Sequence, residues 1–198
     1  MSVTWTVDPS AWIGAGVHWS GWGQETSSVE IGARSVIEDG ASIRLKGGSH
    51  LLIGPDVVVR RGAVLNVGGT LRLDGDNLIS WYSVIHAGES VTFETMAGTG
   101  EMVTVVDGDH RRTDADSHWY RSSVSAPVVI GRNTWLAAKS TVTRGVTIGR
   151  SVTVAANSVV RADVPDETIV AGVPARIIGP SVPATRHPKA PSPGPLTG

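Results

Sequence analysis

The sequence repeats a large aliphatic residue at every sixth position over residues 128–160. An amphipathic helix would place apolar residues three and four apart, whereas six is a multiple of the two-residue period of a half-buried strand. The positions between the aliphatics hold mostly polar residues, glycine or alanine. The spacing therefore predicts a series of short strands, each with one large side chain pointing inward. The aliphatic series is Ile130, Leu136, Val142, Ile148, Val154 and Val160.

The same register extends over most of the chain in separate blocks. It covers residues 31–43, 53–71, 79–103 and 124–160. Repeats of this length are typical of a parallel β-helix, in which three hexads, about eighteen residues, form one triangular coil. One aliphatic side chain per side would fill the interior of such a coil, and a second would overpack it. We therefore predict an all-β, parallel β-helix domain over residues 29–179.

The two ends of the chain depart from this pattern. Residues 1–28 contain four tryptophans among glycines and are predicted to form an N-terminal cap, where the aromatic rings either pack on the first coil or offer a sugar-stacking surface. Residues 180–198 are rich in proline and lack an apolar period, which predicts a disordered tail.

Composition excludes several classes of function. The net charge of −1 gives no sign of a nucleic-acid or membrane partner, and the absence of cysteine excludes disulfides and thiolate chemistry. The N-terminus lacks a basic start followed by an apolar core, so we expect no secretion signal and a soluble, cytoplasmic protein. No apolar run approaches the ~20 residues of a membrane span.

The longest break in register indicates where function is concentrated. It lies between residues 103 and 124 and predicts an extended loop at about 107–123. Long loops on a rigid scaffold commonly carry binding or catalytic residues.

The chain resembles the hexapeptide-repeat acyltransferases, most closely the maltose/galactoside and polysaccharide O-acetyltransferases. The segments "APVVIGRNTWLAAKSTVTRGVTIG", "NSVVRADVP" and "IVAGVPARIIG" follow the C-terminal pattern of that family, and "VTVVDGDHRR" matches its strand leading into a loop with a catalytic histidine. The resemblance implies left-handed coils, acetyl-CoA or another acyl-CoA as co-substrate, and a homotrimer with active sites between neighbouring prisms. It also implies direct transfer of the acyl group to an acceptor, without an acyl-enzyme intermediate.

Histidine is the expected general base, because a neutral hydroxyl is a poor nucleophile and imidazole titrates near neutrality. His110 opens the long loop at the end of a strand and is the predicted base, with His118 in the same loop as its rival. Asp107 could orient the imidazole if the chain turns at Gly108, although the segment "DGD" could also be a simple turn.

The predicted acyl-CoA groove rests on residues one coil apart. Ala138 and Ala156 are separated by eighteen residues, so they would stack and leave room for a thin pantetheine arm. By resemblance, Arg161 and Arg176 match further CoA contacts and would meet phosphates, although each could be ordinary surface charge. Trp135 either walls the active site or covers the outside of a coil.

The acceptor is the least constrained part of the prediction. Trp119 and Tyr120 could stack on a sugar ring or pack the loop on its own prism, and His86 either faces the acceptor or is an exposed strand residue. We predict an acyl-CoA-dependent O-acyltransferase that acts on a sugar or glycosylated small molecule and needs no metal. The alternatives are an N-acyltransferase on an amino sugar, a non-catalytic assembly solenoid, and a zinc hydratase built on His86, His110 and His118.

Overall fold

In a computed structural model, residues 2–112, 118 and 122–181 are described. Within them, three sheets of parallel strands form the faces of a triangular prism with seven coils, and each coil contributes one strand to each face. The prediction of an all-β, left-handed parallel β-helix is confirmed. The described residues include no helix long and apolar enough to cross a membrane.

The strands are short, as the six-residue period predicts. Face A contains β1 (Val3–Val7), β4 (Ser27–Ile31), β7 (His50–Ile53), β10 (Thr70–Leu73), β13 (Ser90–Phe93), β18 (Val128–Ile130) and β21 (Thr147–Ile148). Face B contains β2 (Trp12–Ile13), β5 (Val36–Ile37), β8 (Val58–Val59), β11 (Leu78–Ile79), β14 (Gly98–Thr99), β19 (Trp135–Leu136), β22 (Thr153–Val154), β24 (Thr168–Gly172) and β25 (Ala175–Pro180). Face C contains β3 (His18–Trp22), β6 (Ser42–Lys46), β9 (Val64–Val67), β12 (Val84–Ala87), β15 (Thr104–Val106), β20 (Thr141–Val142) and β23 (Val159–Val160). A separate antiparallel hairpin consists of β16 (Gly108–His110) and β17 (Ser123–Ser125).

The prism interior is a continuous column of aliphatic side chains stacked from coil to coil. Ile130 pairs with Ile148, so the coil length there is the predicted eighteen residues. In the middle of the chain Leu73 pairs with Phe93, which gives a coil of 20 residues. The expectation of one large inward residue per side is therefore wrong for these coils. A four-residue strand points alternate side chains inward, and β10 buries both Leu71 and Leu73.

The corner between faces B and C has left-handed backbone at one position in each coil from the second to the seventh. Tyr82, Met102, Lys139 and Asn157 adopt φ values of 59°, 58°, 60° and 59° there. Small or polar residues would be expected at such tight corners, yet Tyr82 and Met102 are large. Their side chains are exposed, with 57% and 50% of their surface open to solvent. A bulky residue is therefore tolerated at this corner because its side chain extends outward.

The predicted N-terminal cap contributes a complete coil of the same solenoid. β1, β2 and β3 pair with β4, β5 and β6 of the second coil. The Trp5 and Trp19 rings meet edge to face, with centroids 4.6 Å apart. At the other end of the prism, β25 folds back antiparallel on β24. The predicted disordered tail lies outside the described residues, apart from its first two.

Candidate active site

The hairpin of β16 and β17 leaves the prism at the corner between faces C and A, between the fifth and sixth coils. Its base is held by the backbone of Asp107, whose N–H donates to the His86 carbonyl at 3.2 Å and whose carbonyl accepts from the Ala126 N–H at 2.8 Å. Gly108 pairs with Ser125, and His110 pairs with Ser123. The hairpin therefore holds His110 outside the prism on a short stretch of regular backbone.

The Asp107 carboxylate makes its contacts with the preceding coil and not with the His110 imidazole that it was predicted to orient. The side chain is fully buried, and its carboxylate accepts hydrogen bonds from the backbone N–H groups of Gly88, Glu89 and Ser90, each at 2.7 Å. The structure does not pair this carboxylate with the His110 ring. Three charge-assisted bonds to one turn instead make Asp107 a support for the corner of the preceding coil.

The exposed His110 lines a pocket of about 430 Å³ where the hairpin meets the prism. This volume lies within the range of small-molecule sites. The Asp109 carboxylate accepts the His110 backbone N–H at 2.7 Å. The arginines of this pocket were not among the residues predicted from the sequence, although two of them follow His110 directly. The lining residues are Asp109, His110, Arg111, Arg112, Val124 and Arg144.

The predicted alanine pair lies at the corner between faces B and C. Leu136 pairs with Val154, which stacks Ala138 over Ala156, and the Asn157 N–H donates to the Ala138 carbonyl at 3.1 Å. Ala138 is half-buried and Ala156 is exposed. In the two preceding coils the equivalent corner position holds Trp81 and then Glu101. From the fourth coil onward, this corner position therefore carries a small side chain only in the sixth and seventh coils.

The other predicted CoA contacts lie on different elements. Arg161 follows β23 at the corner between faces C and A, the corner that carries the hairpin, and Arg176 lies in β25. Both side chains are exposed. Within a single chain, the alanine pair, Arg161 and Arg176 therefore do not line one groove.

The predicted acceptor residues are also dispersed. Trp135 lies on the outside of face B, with 42% of its surface exposed, and packs over Gly98 of the neighbouring coil. His86 is exposed on face C, paired with Asn66 and Val106. Trp119 and Tyr120 lie outside the described residues.

A metal centre would need several ligands close together. The residues of the structure that are described contain no group of three His, Cys, Asp or Glu side chains able to hold an ion. The zinc arrangement of His86, His110 and His118 considered from the sequence is therefore not assembled here.

Residues 127–162 match the family described as bacterial transferase hexapeptide (six repeats). The chain is a hexapeptide-repeat protein. This match covers the sixth and seventh coils, which carry the alanine pair.

The sequence similarity also extends beyond the hexapeptide segment. The chain is 33% identical over 155 residues to the probable acetyltransferase Rv3034c of Mycobacterium tuberculosis, an alignment that covers 78% of this chain and 45% of that protein. The chain thus spans about half the length of this curated relative.

Solved structures share the fold at low sequence identity. The polysialic acid O-acetyltransferase OatWY superposes with a TM-score of 0.71 at 19% identity, over 94% of this chain and 89% of that one. The N-acyltransferase AntD of Bacillus cereus, solved with dTDP and coenzyme A, superposes with a TM-score of 0.63 at 21% identity, over 77% and 84% of the two chains. At these identities the likeness concerns the fold.

Proposed function

We propose that this protein is an acyl-CoA-dependent O-acyltransferase that moves an acetyl group to a hydroxyl of a sugar or a glycosylated small molecule. The observation that carries the proposal is the exposed His110 in a ligand-sized pocket, held on a hairpin at the edge of a rigid prism. The similarity to a probable acetyltransferase supports the same reaction class.

His110 is the general base of the proposed reaction. Its imidazole accepts the proton of the acceptor hydroxyl while that oxygen attacks the thioester carbon. The carbon–sulfur bond then breaks, and the imidazolium returns the proton to the departing sulfur. The acyl group passes directly between the two substrates, so no side chain of the protein is acylated.

The corner formed by Ala138 and Ala156 fits a thin acyl-CoA arm. In earlier coils the same position carries Trp81 and Glu101, whose side chains would obstruct an arm lying along the corner. The two alanines leave the corner unobstructed over about two coil spacings, roughly 10 Å along the prism. Arg161 and Arg176 are the proposed contacts for the phosphates at the far end of the arm, since guanidinium groups bind phosphate well.

The proposed site lies between two copies of the chain. His110 and the alanine pair occupy different corners of one prism, so a base from one copy would meet the groove of another. Face B supports such packing because its outward positions are largely apolar down the stack, and Trp12 and Trp135 are 52% and 42% exposed. From the first to the sixth coil the outward series is Trp12, Val36, Val58, Leu78, Gly98 and Trp135, and the seventh coil adds Thr153. We propose a homotrimer, which sedimentation of the purified protein would detect, and a monomer at micromolar concentration would contradict the shared site.

The test of the reaction is release of free CoA from acetyl-CoA in the presence of a panel of sugars, sugar nucleotides and amino sugars. His110→Ala should lower turnover by about 10²–10⁴-fold, the usual contribution of a general base. CoA affinity should stay unchanged, because the imidazole acts on the acceptor. An amino sugar that outperforms every hydroxyl acceptor would identify an N-acyltransferase instead.

The comparison variant is His118→Ala in the same loop. It should retain most of the activity of the wild-type protein. Loss of transfer in His118→Ala, with transfer retained in His110→Ala, would show that the base is assigned to the wrong histidine.

A further inference from the structure

We propose that the acceptor is anionic, a sugar that bears a phosphate or carboxylate group close to the acylated hydroxyl. Arg111, Arg112 and Arg144 bind that group beside His110. This inference rests on the proposed function and specifies its substrate class.

The described part of the pocket carries an excess of positive charge. The described lining residues include three arginines and one acidic residue, Asp109, whose carboxylate already accepts the His110 N–H. Within residues 2–112, 118 and 122–181, no carboxylate lies within ion-pair distance of Arg111, Arg112 or Arg144. Elsewhere in the described residues, arginines do pair with carboxylates at the prism corners. Examples are Arg34–Asp56, Arg60–Glu38 and Arg150–Asp166.

Three guanidinium groups around one cavity attract an anion. Their mutual repulsion is relieved when a phosphate or carboxylate enters, and the planar guanidinium fork can bind either group through two parallel hydrogen bonds. The pocket walls also concentrate the positive field at the position of the base.

The arginines approach the pocket from two independent elements. Arg144 lies at a corner of the prism next to Gly145, whose N–H donates to the Ala126 carbonyl at 3.0 Å. Arg111 continues the hairpin, and its N–H donates to the Ser122 carbonyl at 2.9 Å. A ligand between them would be held from the prism side and from the hairpin side at once.

The phosphates of CoA do not fit this position. The reaction requires the thioester next to His110, which lines the same pocket. An extended pantetheine arm has about thirteen bonds between its sulfur and the pyrophosphate and spans roughly 15 Å. The anion beside His110 is therefore carried by the acceptor.

The experiment measures binding to the full chain without acetyl-CoA, by titration calorimetry. The probes are glucose 1-phosphate, glucuronic acid and methyl glucoside, which share a hexose ring and differ in charge. We expect one or both anionic probes to bind at least tenfold more tightly than methyl glucoside, and the tighter of the two distinguishes a phosphate from a carboxylate acceptor. Raised salt should weaken only the anionic probes.

Two matched variants assign the effect to the pocket. Arg144→Gln should weaken the anionic probe by about tenfold, the usual contribution of a hydrogen bond to a charged group. Arg132→Gln removes an exposed arginine from another corner of the same coil and should leave binding unchanged.

Three results would overturn the inference. These are equal affinity for all three probes, equal losses in the two variants, or a loss of CoA binding in Arg144→Gln without a loss for the anions. Because no acyl transfer is measured, an inactive protein leaves this test intact. Transfer to a neutral sugar that depends on His110 would uphold the proposed function while this inference fails.

Discussion

Asp107→Asn separates the structural role of this residue from a role in orienting the base. The substitution keeps the size and shape of the side chain. Oδ1 accepts from Gly88, and Oδ2 accepts from both Glu89 and Ser90. Asparagine offers one oxygen, which can keep the two bonds that share Oδ2, but its NH₂ group would face the Gly88 N–H.

The expected cost follows from these contacts. A partly buried donor left unpaired costs about 1–3 kcal/mol. The two remaining bonds lose their ionic partner, and a neutral bond is about half as strong as a charge-assisted one. Together these changes should lower the free energy of unfolding by about 2–6 kcal/mol, which corresponds to a decrease in Tm of roughly 4–24 °C for a domain of this size.

Thermal and urea unfolding, followed by circular dichroism, measure this loss. The control is Asp109→Asn, since the exposed Asp109 carboxylate accepts only the N–H of the next residue, and its change should stay within about 0.5 kcal/mol. An unchanged unfolding midpoint in Asp107→Asn would refute the structural role. If turnover also fell in that stable variant, Asp107 would be the orienting partner of His110 after all.

Further substitutions test the groove and the corners. Ala156→Trp should abolish CoA binding in calorimetry at unchanged Tm. The control, Ala15→Trp, lies at an exposed position of the same corner in the first coil and should bind CoA normally. Retained affinity in both variants would mean that the groove lies elsewhere. Gly62→Ala should lower the free energy of unfolding by about 1–2 kcal/mol, because φ there is 73° and the new methyl group would meet the Tyr82 ring. An unchanged Tm would show that this corner relaxes freely. Asn77→Ala should cost about 2–5 kcal/mol, since its buried amide donates to two carbonyls and accepts one N–H; a loss below 1 kcal/mol would mean that water replaces these bonds.

The six-residue period determined the architecture by itself. An aliphatic residue at each sixth place can be buried only if the chain turns after every short strand, so a prism of stacked strands follows from local spacing. The eighteen-residue spacing also predicted that Ala138 stacks over Ala156, because the last coils each contain eighteen residues. The break in register also located the hairpin that carries His110.

Tertiary structure alone decided the length of the other coils and the surroundings of the base. Strand length on faces A and C sets how many side chains point inward, which the period does not reveal. The Asp107 carboxylate turned to Gly88 and its neighbours because the previous coil presents three free N–H groups there. Arg144 is distant in sequence from Arg111 and reaches the same pocket only because the next coil brings the chain back past the hairpin. Residues joined by such a return share no sequence period, so no spacing could have predicted their meeting.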